Sequence, residues 1–224
     1  MFRVIIPASG RGERVGASIP KQYLSLKGIP LFIHTLRVFE RHPLCEGIIF
    51  VLREEFFSYA KEQIESFGLR KILSLVKGGS FRQESVYNGV LACSSWKGIL
   101  LVHDVVRPFV SEELITKVYE AARLYGVALP AIPVRDALIR GDGETLLEPV
   151  NREGLYQVQT PQGAKIDLLR EALERAKEDG LIFPDEGSLL HHYGYKVKIV
   201  SGSFINFKIT YPEDFLLAER LISE

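Results

Sequence analysis

Glycines and cations cluster near the start of the chain. Phe2 to Gln22 reads FRVIIPASGRGERVGASIPKQ. An apolar run (Phe2, Val4, Ile5, Ile6) stops at Pro7. Ala8, Ser9, Gly10, Gly12 and Gly16 follow, with Arg11, Arg14 and Lys21 among or just beyond them. A short apolar run bounded by breakers reads as a buried strand. Glycines let backbone N–H groups approach a ligand, and neighbouring cations suit an anion, most often a phosphate. The plainer alternative is a strand-to-helix turn with surface arginines. The spacing is not that of the P-loop. Gly10 and Gly12 open a G-x-G, but Val15 stands where a dinucleotide fingerprint needs its third glycine.

Two further clusters carry the same chemistry. GGSFRQESV holds Gly78, Gly79, Ser80, Arg82 and Ser85. Ser85 either faces a ligand or caps the following helix, and Arg82 could orient the loop from behind. The apolar ILLV run then meets His103 and Asp104. Ligands of open α/β sheets bind at the carboxyl ends of strands. A carboxylate there suits Mg²⁺, a hard cation shared with phosphate oxygens. His103 has no second histidine at ligand spacing and reads as a structural neighbour. Arg107 either braces Asp104 or touches the substrate.

PASGRGERVG followed by PKQYL resembles the opening motif of nucleotidyltransferases that join a nucleoside triphosphate to a sugar phosphate. The PKQ ending is similar to that of cytidylyltransferases acting on 2-C-methyl-D-erythritol 4-phosphate in the non-mevalonate route to isoprenoids. Relatives acting on ribitol 5-phosphate share it. The resemblance implies CTP and a polyol phosphate as substrates, Mg²⁺ as cofactor, pyrophosphate as product and a homodimer. It implies that Ala8, Ser9, Gly10 and Gly12 wrap the triphosphate and that Arg14, Lys21 and Lys208 are catalytic. Gly79, Ser80 and Ser85 would contact cytosine. Asp104, Arg107, Thr160 and, from the partner subunit, Arg152 would form the polyol-phosphate site, with Asp104 also on the metal. The chain departs from the family pattern at Ala137, where a threonine hydroxyl is usual, at Ile205 before Asn206, at Ser9 and at Pro184. These departures leave ribitol 5-phosphate open as the acceptor. A CTP-binding regulator without catalysis is the alternative from another class, and the glycine spacing disfavours a nicotinamide dehydrogenase.

These residues need a scaffold, and the totals bound it. The chain has 224 residues, net charge zero and 46% hydrophobic residues. That supports a sizeable core and offers no bulk field for nucleic acid or an anionic membrane. Cys45 and Cys93 form no metal-spaced cluster and read as buried thiols of a reducing compartment. No apolar run is long enough to span a bilayer, and the expected location is the cytoplasm.

Alternating strands and helices predict an α/β fold, Rossmann-like, with a mostly parallel sheet flanked by helices. Strands are expected at Gly47–Leu52, Ile72–Val76, Ile99–Val102, Val127–Val134, Tyr156–Thr160, Val197–Val200 and Phe207–Ile209. Helices are expected at Leu31–His42, Glu55–Phe67 (closed by Gly68), Glu84–Ala92, Ser111–Tyr125, Lys165–Lys177, Asp185–Tyr193 and Pro212–Ile222. Val86, Val90 and Leu91 should face the sheet. Arg135–Leu155, with its turn signal at Gly141-Asp142-Gly143, reads as a protruding β-arm for dimerisation, or else as a flexible surface hairpin. The expectation is a single nucleotidyltransferase domain over 1–224.

Overall fold

The computed structural model describes residues 1–10, 19–93 and 95–222. The chain opens with β1 (Phe2–Pro7) and, after the PKQ segment, a small hairpin of β2 (Ser25–Leu26) and β3 (Ile29–Pro30). Then come α1 (Leu31–Arg41), β4 (Cys45–Leu52), α2 (Phe57–Ser66), β5 (Ile72–Lys77), α3 (Arg82–Leu91) and β6 (Ile99–Val102). The second half holds α4 (Glu112–Tyr125), β7 (Val127–Pro133), β8 (Leu138–Gly141), β9 (Leu146–Val150), β10 (Tyr156–Val158) and β11 (Gln162–Lys165). It closes with α5 (Ile166–Glu178), α6 (Glu186–His192), β12 (Lys198–Ser201) and α7 (Pro212–Leu221).

One eight-stranded sheet runs β10-β7-β11-β6-β1-β4-β5, with β12 also on β7. β1 pairs parallel with β4 and β6, β4 with β5, and β12 with β7. β10 and β11 run against them. Strand side chains alternate between faces, and the core divides accordingly. Phe2, Val4 and Ile6 of β1, with Ile48, Phe50 and Leu52 of β4, pack beneath α1, α2 and α4. Ile5, Ile49 and Val51 face the other way, under α3, α5 and α6. Each fully buried Ile or Phe contributes roughly 1.5–3 kcal/mol. The ends of the helices follow local rules. Ser111 Oγ accepts from Leu114 N at 3.1 Å, as an N-cap does. Gly68 closes α2 with φ +67°. Asp214 accepts from the N–H groups of Thr210 and Tyr211 ahead of α7.

Three expectations change. Leu91 is 45% exposed, because α3 turns Ser85, Val86, Gly89 and Val90 inward. Phe207–Ile209 is not a strand: Ile209 donates to Val106 O, and no ladder follows. β11, which the sequence reading left out, is central, lying between β6 and β7. Its residues Gln162-Gly163-Ala164-Lys165 carry no apolar run, and at Gly163 there is no room for a side chain. A Cβ on Gly163 would stand 2.8 Å from a Leu101 methyl and 3.0 Å from Ala122 Cβ. α4 therefore packs directly on the strand backbone. β8 and β9 form their own antiparallel hairpin with mostly exposed residues.

Gly163→Val should therefore force α4 off the sheet. Urea unfolding should show a loss of about 1–3 kcal/mol. An unchanged midpoint would mean that α4 yields freely and that the glycine is not required.

Candidate active site

The carboxyl ends of β1, β5 and β6 each feed a loop, and ladder bonds carry on into those loops. Ala8 N donates to Val51 O, Gly78 N to Leu52 O and His103 N to Ile5 O. The loops are thereby fixed to adjacent strands and converge on one edge of the sheet. A cavity of about 530 Å³ opens there, lined by Ala8, Ser9 and Gly10, by Lys21, by Gly79 and Ser80, and by Arg82, Asp104 and Lys208. A second cavity of about 150 Å³ adjoins it, with Arg107, Thr160 and Asp185 in its wall; Arg82, Asp104 and Lys208 border both. Three stretches far apart in sequence thus meet where strand ends make ligand sites.

Asp104 sits where the two cavities meet. It is 8% exposed. Its Oδ2 accepts from Lys208 Nζ at 2.9 Å, and its Oδ1 from Arg82 Nε at 3.2 Å. Arg107 Nε lies 3.6 Å from Oδ2. Burial opposes ionisation of this carboxyl. Arg82, Lys208 and Arg107 outweigh it and hold the group far below the usual carboxylate range. Arg107 also donates to Asn206 O at 2.8 Å.

Behind Asp104 lies a chain of hydrogen bonds whose directions follow from its ends. Arg107 O can only accept, so the fully buried His103 donates to it from Nε2. Nδ1 of the neutral ring is then an acceptor, and it takes the proton of Thr160 Oγ1 at 3.1 Å. Thr160 Oγ1 in turn accepts from Asp104 N at 3.0 Å. Burial pushes His103 down to about 4, which keeps it neutral. His103 is thus a structural neighbour, as its lack of a partner histidine implied.

The glycine loop is held from behind by a residue the sequence reading used only as part of a pattern. Gln22 of PKQ donates from Nε2 to Ala8 O at 2.7 Å and to Gly10 O at 2.8 Å. Lys21 beside it is 7% exposed and lines the larger cavity. Arg14 and Gly12 lie outside the described residues. Ser85 is fully buried. It donates to Phe81 O, accepts from Gly79 N and meets Ser9 Oγ at 2.7 Å. It therefore ties two loops together from behind the cavity wall. Gly78 lets those loops touch, since a Cβ there would fall 2.3 Å from Ser9 Cβ. Glu84 occupies the Ser80 N–H.

Arg152 is exposed on the segment after β9, bonds to Arg135 O and lines neither cavity of its own chain. The departure at Ile205 removes no buried contact, because Ile205 is 57% exposed while Asn206 Nδ2 donates to Thr160 O at 2.8 Å. Sequence reasoning also missed the partner of Arg82. Glu186, nearly buried on α6, accepts from its Nη1 at 2.6 Å and its Nη2 at 3.1 Å. The acidic pair Asp185-Glu186 was the available signal, but nothing in it named Arg82.

Thr160→Val keeps the shape and removes the hydroxyl. It should leave both Asp104 N–H and His103 Nδ1 unpaired inside the protein, at a cost of about 1–3 kcal/mol. Thr160→Ser should restore most of that loss. Denaturant midpoints of the two variants check this, and equal stability of the valine variant and the parent would contradict the chain of bonds.

Comparison with known proteins agrees along the entire length. The family model for 2-C-methyl-D-erythritol 4-phosphate cytidylyltransferase, IspD, matches residues 2–224. A protein of that name from Bacillus mycoides is 40% identical over 222 residues, which are 99% of this chain and 98% of the relative. A bifunctional enzyme IspD/IspF from Desulfotalea psychrophila is 43% identical across 99% of this chain, which spans 56% of that longer protein. The crystal structure of the Thermus thermophilus 2-C-methyl-D-erythritol 4-phosphate cytidylyltransferase superposes with a TM-score of 0.80 at 36% identity, covering 97% of each chain. The order of motifs, the arrangement of strands and the full-length matches all lead to one assignment: this chain belongs to the 2-C-methyl-D-erythritol 4-phosphate cytidylyltransferase (IspD) family.

Proposed function

We propose that this chain transfers CMP from CTP to 2-C-methyl-D-erythritol 4-phosphate, giving 4-diphosphocytidyl-2-C-methyl-D-erythritol and pyrophosphate in non-mevalonate isoprenoid biosynthesis. One observation carries the reading: in a chain of this family, an ionised carboxylate ringed by three cations stands between a large loop-lined cavity and a smaller polar one. The larger takes CTP and the smaller takes the polyol phosphate.

The acceptor phosphate is already an anionic nucleophile, so the protein supplies position and charge. A phosphate oxygen of the polyol attacks the α-phosphorus of CTP. The bond to the bridging oxygen breaks, and pyrophosphate leaves with that electron pair. Lys21 and Lys208, with Arg14 from the segment between Gly10 and Ile19, neutralise charge that builds on the transferred phosphorus. Ala8, Ser9, Gly10 and Gly12 wrap the triphosphate. The Gly79–Ser80 backbone reads cytosine, and Ser85 holds that backbone in place. Arg107 and Thr160 bound the acceptor site.

Mg²⁺ fits Asp104 in a specific way. Among the described residues no group of three His, Cys, Asp or Glu side chains could hold a metal ion. A single carboxylate already facing three cations takes a dication only once phosphate oxygens supply the remaining ligands and the balancing charge, which is how Mg²⁺ is usually held. Bound there, the ion would neutralise triphosphate oxygens.

The hairpin β8–β9 exposes Ile139, Leu146 and Leu147, and an isolated two-stranded ribbon is marginal in water. A second copy of the chain is the occupant that this reading assigns to it, with Arg152 reaching the partner subunit's acceptor site. No helix among the described residues is long and apolar enough to cross a membrane. With Cys45 and Cys93 both free and buried, this fits a cytoplasmic enzyme.

The test is pyrophosphate release from CTP with 2-C-methyl-D-erythritol 4-phosphate or ribitol 5-phosphate. Turnover is expected with the first and not the second, and EDTA should abolish it. Lys21→Ala should cut kcat by about 10²–10³ with an unchanged melting temperature. Turnover with ribitol 5-phosphate alone would move the substrate assignment, and near-normal turnover of the lysine variant would remove Lys21 from the mechanism.

A further inference from the structure

Arg82 spends its guanidinium on two carboxylates at once. Nε donates to Asp104 Oδ1, while Nη1 and Nη2 donate to the two oxygens of Glu186. Glu186 is 5% exposed, and among the described residues its carboxylate contacts no other cation. Desolvation disfavours the Arg82 charge, and Glu186 and Asp104 more than offset it. The fork is planar and rigid, so fixing its far side to Glu186 also fixes the direction of Nε toward Asp104.

The residue next to Arg82 supports this connection. Gln83 donates to Leu181 O at 3.0 Å and accepts from Phe183 N at 2.8 Å. The first turn of α3 is thus joined to the segment leading into α6 by both Arg82 and Gln83. That turn follows directly on the nucleotide-side loop Gly78–Phe81, whereas Asp185 borders the smaller cavity. Arg82 borders both cavities. It is a long cation within reach of a triphosphate, yet it is bound to protein on both edges of its fork.

Resting on the proposed reaction, we infer that Glu186 is a positioning residue. It withholds Arg82 from the triphosphate and holds it against Asp104, so that the carboxylate keeps its orientation between the two substrates. Releasing Arg82 would let it bind ground-state phosphate. Nucleotide binding would then tighten while turnover falls, because the added contact is not specific to the transition state.

Glu186→Gln keeps the volume and removes the charge. It should lower kcat about tenfold and tighten CTP binding about threefold or more, measured by calorimetry without acceptor. A residue that only stabilised the fold would not tighten binding. In an Arg82→Ala background the same substitution should change neither quantity, because its effect runs through Arg82. Either quantity staying within about twofold of the parent, or both shifts surviving in the Arg82→Ala background, would overturn the proposal. Should Glu186→Gln not fold, Arg82→Lys tests the same geometry, since an ammonium cannot span both carboxylates as a fork does. It should lower kcat with KM for CTP unchanged or lower, and parental kinetics would count against the clamp. If the parent itself releases no pyrophosphate, the proposed reaction fails, and the shift in CTP affinity alone decides the role of Glu186.

Discussion

A buried carboxylate at the end of a central strand is the constraint on which the rest of this protein depends. Removing Asp104 from water is costly unless cations surround it. Lys208 reaches it from the segment before α7, Arg82 from the start of α3, and Arg107 from the loop after β6. Arg82 brings in α6 through Glu186. Elements from both faces of the sheet therefore meet at one side chain. Assembly of the site and completion of the fold are in this sense one event.

A second layer of buried polar groups sets the backbone under that carboxylate. Gln159 pairs with Ser203 as a strand would, donating to its carbonyl and accepting from its N–H. Gln162 accepts from Gly187 N at 2.7 Å, and Asn206 holds Thr160 O. Gln159 thus continues the pairing beyond β10, Gln162 meets the first turn of α6, and Asn206 anchors the carbonyl that precedes β11. The low dielectric that strengthens these bonds also makes an unpaired member expensive. The irregular backbone beside the cavity thereby has polar groups paired by side chains.

Much of the fold and part of the site could be read from the residues alone. β1, β4 and β6 announce themselves as apolar runs because both faces of those strands are covered. Ser111, Gly68 and Pro212 mark helix ends because they satisfy or terminate local backbone bonds. Asp104 stands out because a charge two residues beyond ILLV needs a reason. β11 does not, since its fit to α4 demands glycine at position 163 and polar Gln162 and Lys165 flank the rest. The role of Glu186 is hidden for a different cause: its partner is 104 positions away, and only packing brings the two together. Ser85 shows a limit of another kind. The resemblance implies a contact to cytosine, and here its hydroxyl bonds to Ser9, Gly79 and Phe81, none of them a neighbour that a sequence pattern names.

The carboxylates at the cavity explain why several cations can sit side by side there. Asp104 and Glu186 gather Arg82, Arg107 and Lys208 at one place in a chain that has no net charge. A cation cluster with no counter-charge would be self-repelling, and the two carboxylates relieve that repulsion. The carboxylates therefore hold the cations together before the substrate comes, and the arrangement costs little reorganisation when it does.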